Sequence, residues 1–246
     1  MMLLSRLYVN LRNLFYNVIG HYNFIKVRRF IYSKLILFGI SHSKDNLDQK
    51  ILKQLNKKRN GFFIECGAAD GITYSNSNLL EKKYGWKGML IEPIQDQFDA
   101  LKKYRKGAIC EKYILSSQKE SGRMVDIYDA GPESIIVQDE LDNLSMSDQT
   151  RLKVLESRNA IKGIEKVNTI SISTLLDRHN IKHVDIFFLD VEGSELSVLQ
   201  GWDEKRHSID YLVIETGAIE VLSEYLKKKG FNSYSNIARN DFLFYK

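Results

Sequence analysis

The chain has only two cysteines in its 246 residues, Cys66 and Cys110. They stand too far apart for a CxxC metal knuckle, and two thiols make no disulfide framework. Each lies in or beside an apolar run, so both read as buried free thiols, and a reducing cytoplasm is the expected compartment. Proline is equally scarce at two residues, which with only 15 glycines excludes collagen-like, linker-like and mucin-like stretches. No internal repeat occurs at solenoid or propeller periods. No run of eighteen apolar residues is present, so no bilayer-spanning helix is expected. Acidic side chains are missing altogether from residues 1–44, where Arg6, Arg12, Lys26, Arg28, Arg29, Lys34 and Lys44 supply positive charge. The formal net charge of +5 is therefore concentrated there, and the rest of the chain is about neutral to slightly acidic.

What is present suffices for a folded core, with 43% hydrophobic and 27% charged residues in a length typical of one generous domain. In the basic stretch, Leu3, Leu4, Leu7, Tyr8, Leu11, Leu14, Phe15, Val18 and Ile19 recur at helical spacing. Arg12 interrupts that stretch and no small-residue cleavage site follows, which disfavours a secretory signal. Residues 1–44 thus read as a basic amphipathic helical arm. Two readings of it stay open: packing on the domain or on a second copy as a homodimer, or peripheral contact with the anionic inner face of a membrane. No nucleic-acid partner is expected, since neither a stacking-aromatic motif nor a recognition helix accompanies the charge.

From residue 45 onward, strand-like and helix-like segments alternate, which predicts a doubly wound α/β domain over 45–246 with a mostly parallel sheet. A helix over Asp45 to Lys58 leads into a buried strand, Gly61 to Glu65. A helix from about Ser75 to Tyr84 and a second strand, Gly88 to Glu92, stopped by Pro93, follow. A third strand is expected near Ala108 to Leu115. Residues 116–166 then break the rhythm: they are polar, carry Gly131-Pro132, and contain one plausible helix, about Leu144 to Ser157. An insertion here would sit at the carboxyl edge of the sheet as a substrate lid, or be a surface excursion away from substrate. A short strand and helix, Ile170 to His179, restore the order. Val184 to Asp190 is the most apolar strand and belongs at the sheet centre. A helix opening at Ser194, a strand Tyr211 to Glu215, a helix Ile219 to Lys229, and a closing antiparallel hairpin around Phe231 to Ser235 and Phe242 to Tyr245 complete the chain.

Four of these strands end in carboxylates: Glu65, Glu92, Asp190 and Glu215. The carboxyl edge is where ligands bind in an open α/β sheet. Clustered acids there suit cationic or hydroxyl-rich partners, or a metal. Between the first strand and its helix lies Glu65-Cys-Gly67-Ala-Ala-Asp70-Gly71. Its glycines permit a sharp turn and close approach of a ligand. The spacing Gly67-x-x-x-Gly71 is not the G-x-G-x-x-G of a nicotinamide site, and flanking carboxylates would repel a pyrophosphate. They suit a ligand with an ammonium, a sulfonium and a ribose diol, such as S-adenosylmethionine, with Glu92 placed to accept from the ribose.

Phe63-Ile-Glu65-Cys-Gly67-Ala-Ala-Asp70-Gly71, Tyr74-Ser75-Asn76, Leu80-Glu81, Trp86-x-Gly88 and Ile91-Glu92-Pro93 resemble the front half of the FkbM methyltransferase domain. Phe188-Leu-Asp190-Val-Glu192-Gly193-Ser-Glu195 with Val198-Leu199-x-Gly201 is similar to its second signature, and Asn240-Asp241-Phe-Leu-Phe to its last strand. The likeness covers roughly residues 45–246. It implies a class I, Rossmann-like methyltransferase fold and O-methylation of a hydroxyl, often on a sugar or polyketide. It also implies that Glu65, Gly67 and Asp70 line the methionine end of S-adenosylmethionine, that Tyr74, Ser75 and Asn76 open the next helix near its carboxylate, and that Glu92 holds the ribose. Ala68, Gly71, Pro93, Ser116 and Asp190 complete the candidate cofactor-binding set. Where the family commonly has Asn in the loop, this chain has Ala69.

Methyl transfer from a sulfonium is an in-line displacement, and a sugar hydroxyl at neutral pH needs a base or a metal. Asp190 and Glu192 are the candidates for the base. Asp190, Glu192 and Glu215 are the candidate ligands should a divalent metal such as Mg²⁺ take part. Glu192 has a structural alternative, a carboxylate stabilising a helix N-terminus. His21, His42, His179, His183 and His207 lie in polar or junction segments and read as ordinary surface residues. The expected acceptor is a sugar hydroxyl of a surface glycan or its precursor. A polyketide, peptide or lipid acceptor, or a non-catalytic module that keeps the fold, are the alternatives.

Overall fold

The computed structural model describes residues 25–41, 43–131, 134–137 and 146–246. The apolar spacing of residues 3–19, His21, His42 and Pro132 fall outside them. Helix α1 spans residues 25–35. Short 3-10 turns lead to α2 (Leu47–Gln54). Then come β1 (Phe62–Cys66), α3 (Asn78–Tyr84), β2 (Lys87–Ile91), α4 (Gln95–Tyr104), β3 (Ile109–Glu111) and β4 (Ile114–Ser116). The inserted segment contributes β5 (Met124–Asp129), β6 (Ile135–Val137), α5 (Met146–Ser157) and β7 (Gly163–Ser171). The chain closes with α6 (Ile172–Arg178), β8 (His183–Leu189), α7 (Glu195–Gln200), β9 (Ser208–Glu215), α8 (Ile219–Lys228), β10 (Ser233–Ala238) and β11 (Asp241–Tyr245).

Seven strands form the main sheet in the order β10-β11-β9-β8-β1-β2-β3. Strands β3, β2, β1, β8 and β9 are parallel, and β11 and β10 join β9 antiparallel. This is the doubly wound sheet with a terminal hairpin that the sequence predicts. Its central strands bury both faces, so alternate residues enter different cores. Ile64, Met89, Phe187 and Leu189 face one layer with Leu175 of α6, Val198 and Leu199 of α7, and Leu222 and Leu226 of α8. Phe63, Leu90, Ile186 and Phe188 face the other with Ile51 of α2, Leu79 and Leu80 of α3, and Leu101 of α4. Ile36, just beyond α1, is buried in that second layer, so the arm's end packs on the domain.

Three expectations need correction. The single third strand is divided: β3 stays in the main sheet, while β4 pairs in parallel with β7 in a second sheet ordered β4-β7-β5-β6. The 116–166 segment thus carries strands β5 and β6 and the start of β7 besides the expected helix, α5, and its last strand runs from Gly163 to Ser171. The inward positions of β7 are Val167, Thr169 and Ser171. Two of these three are polar, which hides the period of two that marks a half-buried strand. Helix α3 also starts later than expected, at Asn78, because the residues before it are drawn onto Glu65. Among the described residues no helix is long and apolar enough to cross a membrane.

Candidate active site

The turn after β1 is tied to both neighbouring strands. Gly67 has φ +78, and a Cβ there would lie 2.2 Å from the carbonyl oxygen of Asp190. Only glycine permits that approach. The N–H groups of Gly67 and Ala68 both donate to the carbonyl of Ile91 (3.1 and 3.2 Å), and Asp190 N–H donates to the Cys66 carbonyl at 3.4 Å. Ala69 follows at φ +46 and donates its N–H to Glu92 Oε2 at 2.8 Å. Ile94 N–H donates to Glu92 Oε1 at 2.9 Å. Glu92 is buried, and burial pushes its carboxyl up to about 7 in spite of those two donors. Each oxygen accepts one N–H and keeps capacity for a further donor, the disposition that binds a diol.

Glu65 and Asp70 are engaged within the loop itself. Glu65 accepts from Ser75 Oγ (2.9 Å), from the Asn76 N–H (2.7 Å) and from Ser77 Oγ. Asp70 accepts from the N–H groups of Ile72 (2.9 Å) and Thr73 (2.7 Å), from Thr73 Oγ1 (3.0 Å) and from Arg29 Nε of α1 (2.7 Å). In this arrangement both carboxylates hold the 67–77 turn in shape. Tyr74 is exposed, with φ +62, and pairs with Ser43 as an isolated bridge. Asn76 Oδ1 accepts from Ser43 Oγ at 2.6 Å. Behind the turn, the completely buried guanidinium of Arg105 donates to the Gly71 carbonyl and to Ser75 Oγ (both 3.0 Å), to Ser77 Oγ (2.9 Å) and to Glu81 (2.7 Å).

Beyond β8 and β9 a cavity of about 220 Å³ is lined by Asp190, Glu192, Gly193, Glu195, Glu215, Thr216, Gly217 and Asn240. Burial, reinforced by Glu215 and Glu192, pushes the Asp190 carboxyl up to about 8. Burial also raises Glu195, although Gly193 N–H donates to it at 2.7 Å. Glu192 sits at φ +55, a costly conformation for a residue with a side chain. Arg151 of α5 holds it there, donating to its carbonyl (2.8 Å) and its carboxylate (3.0 Å). Lys44 pairs with Glu215 at 2.7 Å, a bond that raises the lysine's pKa. The inserted sheet flanks the opposite side: Ile94 packs with Ile114, Ile127 and Val167, and Gln95 N–H reaches Glu165 at 3.0 Å.

Among the described residues, the one trio of ligating groups within 4.8 Å of one another is His183, Asp185 and Asp210, at the amino ends of β8 and β9. Asp190, Glu192 and Glu215 line one cavity, and two of them are paired with cationic side chains of this chain, Glu215 with Lys44 and Glu192 with Arg151. Pro93 is half-buried beside Glu92, and Ser116 is buried with its Oγ 3.3 Å from Ser197 Oγ of α7. His179 pairs with Glu111 (2.6 Å), His183 with Ser208 (2.9 Å), and buried His207 with the Ile181 carbonyl (2.9 Å). Sequence reasoning missed Arg29, Lys44, Arg105 and Arg151 as contributors to this edge. None belongs to a motif, and each reaches its partner across a long stretch of chain.

The chain matches the methyltransferase FkbM domain over residues 65–232. That span includes Glu65, Glu92, Asp190, Glu192 and Glu215. No curated protein matches the chain. Among solved structures, precorrin-6y C5,15-methyltransferase from Geobacter metallireducens GS-15 aligns with TM-score 0.36 and 11% identity, over 82% of this chain and 86% of that one. TrmK of M. capricolum, in complex with S-adenosyl-homocysteine, aligns with TM-score 0.36 and 12% identity, over 79% and 65%. A Thermoplasma acidophilum protein, 1320, aligns with TM-score 0.39 and 9% identity, over 86% and 93%.

Proposed function

Because this chain belongs to the methyltransferase FkbM family, we propose that it transfers the methyl group of S-adenosylmethionine to a hydroxyl oxygen on a sugar of a surface glycan or its precursor. One observation carries the reading. A buried carboxylate with spare acceptor capacity, Glu92, and an acid-lined cavity open at Asp190 flank the same glycine turn.

In this reading Glu92 accepts from the ribose hydroxyls, and the absence of a Cβ at Gly67 lets the turn lie against the Asp190 backbone. S-adenosylmethionine supplies an electrophilic methyl on a sulfonium. The acceptor hydroxyl enters the cavity beyond β8 and β9. Its volume is below the roughly 300–1,000 Å³ of pockets for drug-sized ligands, which suits one small ring of a larger acceptor. The carboxylates there accept hydroxyl hydrogen bonds and repel anionic acceptors. As the C–O bond forms and the C–S bond breaks, the hydroxyl proton passes to a carboxylate. Asp190, raised to about 8, takes it in its ionised form, which becomes the major one as pH passes about 8. Arg151 fixes Glu192 beside it.

The test is calorimetric titration of S-adenosylhomocysteine into the wild type and Glu92→Ala, followed by transfer of labelled methyl to candidate glycans. Binding by the wild type that is lost in the variant, with label appearing on a sugar oxygen, is expected. A folded wild type that binds no such ligand sinks the cofactor assignment. Binding with label only on non-sugar acceptors sinks the glycan assignment alone.

A further inference from the structure

Helix α1 leaves apolar side chains outward and half-buries polar ones. Arg29 reaches Asp70 (2.7 Å) and Gln97 (3.1 Å), Arg28, Tyr32 and Ser33 are half-buried beside Ile25 and Leu35, and the segment is pinned by buried Ile36. Val27, Phe30 and Ile31, then Leu37, Phe38 and Ile40, are all exposed. Phe30 and Phe38 are 59% and 77% exposed, more than a packed face would allow. The spacing of 27, 30 and 31 places them on one outward face of the helix, and Leu37 and Phe38 continue the exposed apolar surface in the 3-10 turn that follows. Six of the twelve exposed large hydrophobic residues among the described ones fall in these fourteen positions. Contiguous exposed apolar surface of this kind marks an interaction site rather than ordinary solvent-facing scatter.

Charge says what covers it. Exposed Lys26 borders the stripe and exposed Lys34 stands within it, its Nζ 5.6 Å from the Phe30 ring centroid. No acidic residue occurs anywhere in residues 1–44. Two copies meeting through this stripe would set its basic side chains against each other, and residues 1–44 offer no carboxylate between them. An anionic lipid surface accepts both components, apolar side chains below the headgroups and ammonium groups at phosphate level. We propose that the outward stripe of residues 26–40 docks the protein on an anionic phospholipid membrane. The inward face of the same helix grips the turn after β1, so docking sets the carboxyl edge of the sheet beside the lipid surface. This holds whatever the acceptor is.

The test is co-sedimentation of the full-length chain with vesicles of phosphatidylcholine alone and of phosphatidylcholine mixed with phosphatidylglycerol. The wild type is expected to pellet with the anionic vesicles and to stay in the supernatant with the neutral ones. Raising the salt to about 0.5 M should weaken that binding by about tenfold or more, since exposed charge is screened. Phe30→Glu/Phe38→Glu should lower partitioning by at least about tenfold with an unchanged thermal melt, because both side chains are outside the core. A wild type that ignores both vesicle types, or binding indifferent to salt, overturns the proposal. So does a folded double variant that pellets like the wild type. A dimer by light scattering that the double variant converts to monomer, without vesicle binding, assigns the stripe to a second copy instead.

Discussion

The carboxylate of Glu65 and the guanidinium of Arg105 lie 3.9 Å apart and are joined through shared hydroxyls. Ser75 Oγ is 2.9 Å from Glu65 and 3.0 Å from Arg105, and Ser77 Oγ likewise touches both. Arg105 thereby closes the turn from Gly71 to Ser77 from behind, and Glu81 neutralises its other side.

Removing that cation leaves buried Glu65 with neutral donors alone and Glu81 with Lys82 as its remaining cation. Arg105→Met should cost about 3–5 kcal/mol, read from urea unfolding. Arg105→Lys should recover part of the loss, because an ammonium keeps the charge but not the fork of donors. A loss within about 0.5 kcal/mol for the methionine variant would mean that the turn holds itself without the arginine.

Gly67 and Ala69 share the turn and predict opposite outcomes. Gly67→Ala puts a Cβ against the Asp190 carbonyl and holds an L-residue at positive φ. It should destabilise by at least about 2 kcal/mol and abolish binding of S-adenosylhomocysteine. Equal affinity for the ligand would separate this glycine from the cofactor site.

Ala69 already occupies the left-handed region. Asparagine tolerates that region better than alanine, so Ala69→Asn should raise stability by about 0.5–1 kcal/mol in the same unfolding assay. Its N–H still reaches Glu92, so ligand affinity should be kept. Destabilisation would show that the side chain, rather than the backbone, decides this position.

Asp190 predicts a pH dependence whose sign follows from its raised pKa. In the unfolded chain the group ionises near its ordinary value of 3.8, whereas in the folded protein it holds its proton to about 8. Between those values the unfolded state binds fewer protons, so this group makes stability fall as pH rises, and below pH 4 it contributes nothing. Asp190→Asn removes the effect. Its stability gain over wild type should therefore grow from pH 4 to pH 8 in parallel thermal melts, and a constant difference would contradict the shift. Glu92, raised to about 7, adds a slope of the same sign to both proteins and cancels in the comparison. If Asp190 is the base, kcat/KM should rise with pH and level off above about 8.

Much of the fold was legible because its signals are local. The apolar runs of Phe62–Cys66, Lys87–Ile91 and His183–Leu189 alternate between two buried layers, and Glu92 and Asp190 stand directly after two of them. The inserted sheet was not legible: buried Thr169 and Ser171 break its apolar period, and Ile164 points outward. Nor was the division of β3 from β4, since Ile109-Cys110 and Ile114-Leu115, with only three residues between them, read as one strand.

The sequence by itself determined the parallel sheet, the glycine turn and the placing of Glu65, Glu92, Asp190 and Glu215 at strand ends, since period and strand polarity follow from neighbouring residues alone. Only the tertiary structure decided which of those carboxylates keep acceptor capacity and which are used within the fold. Arg29 reaches Asp70 across 41 residues, Arg105 reaches Ser75 across 30, Arg151 reaches Glu192 across 41 and Lys44 reaches Glu215 across 171. A charge is neutralised by whatever folding brings within hydrogen-bond reach, and no local pattern encodes contacts at those separations.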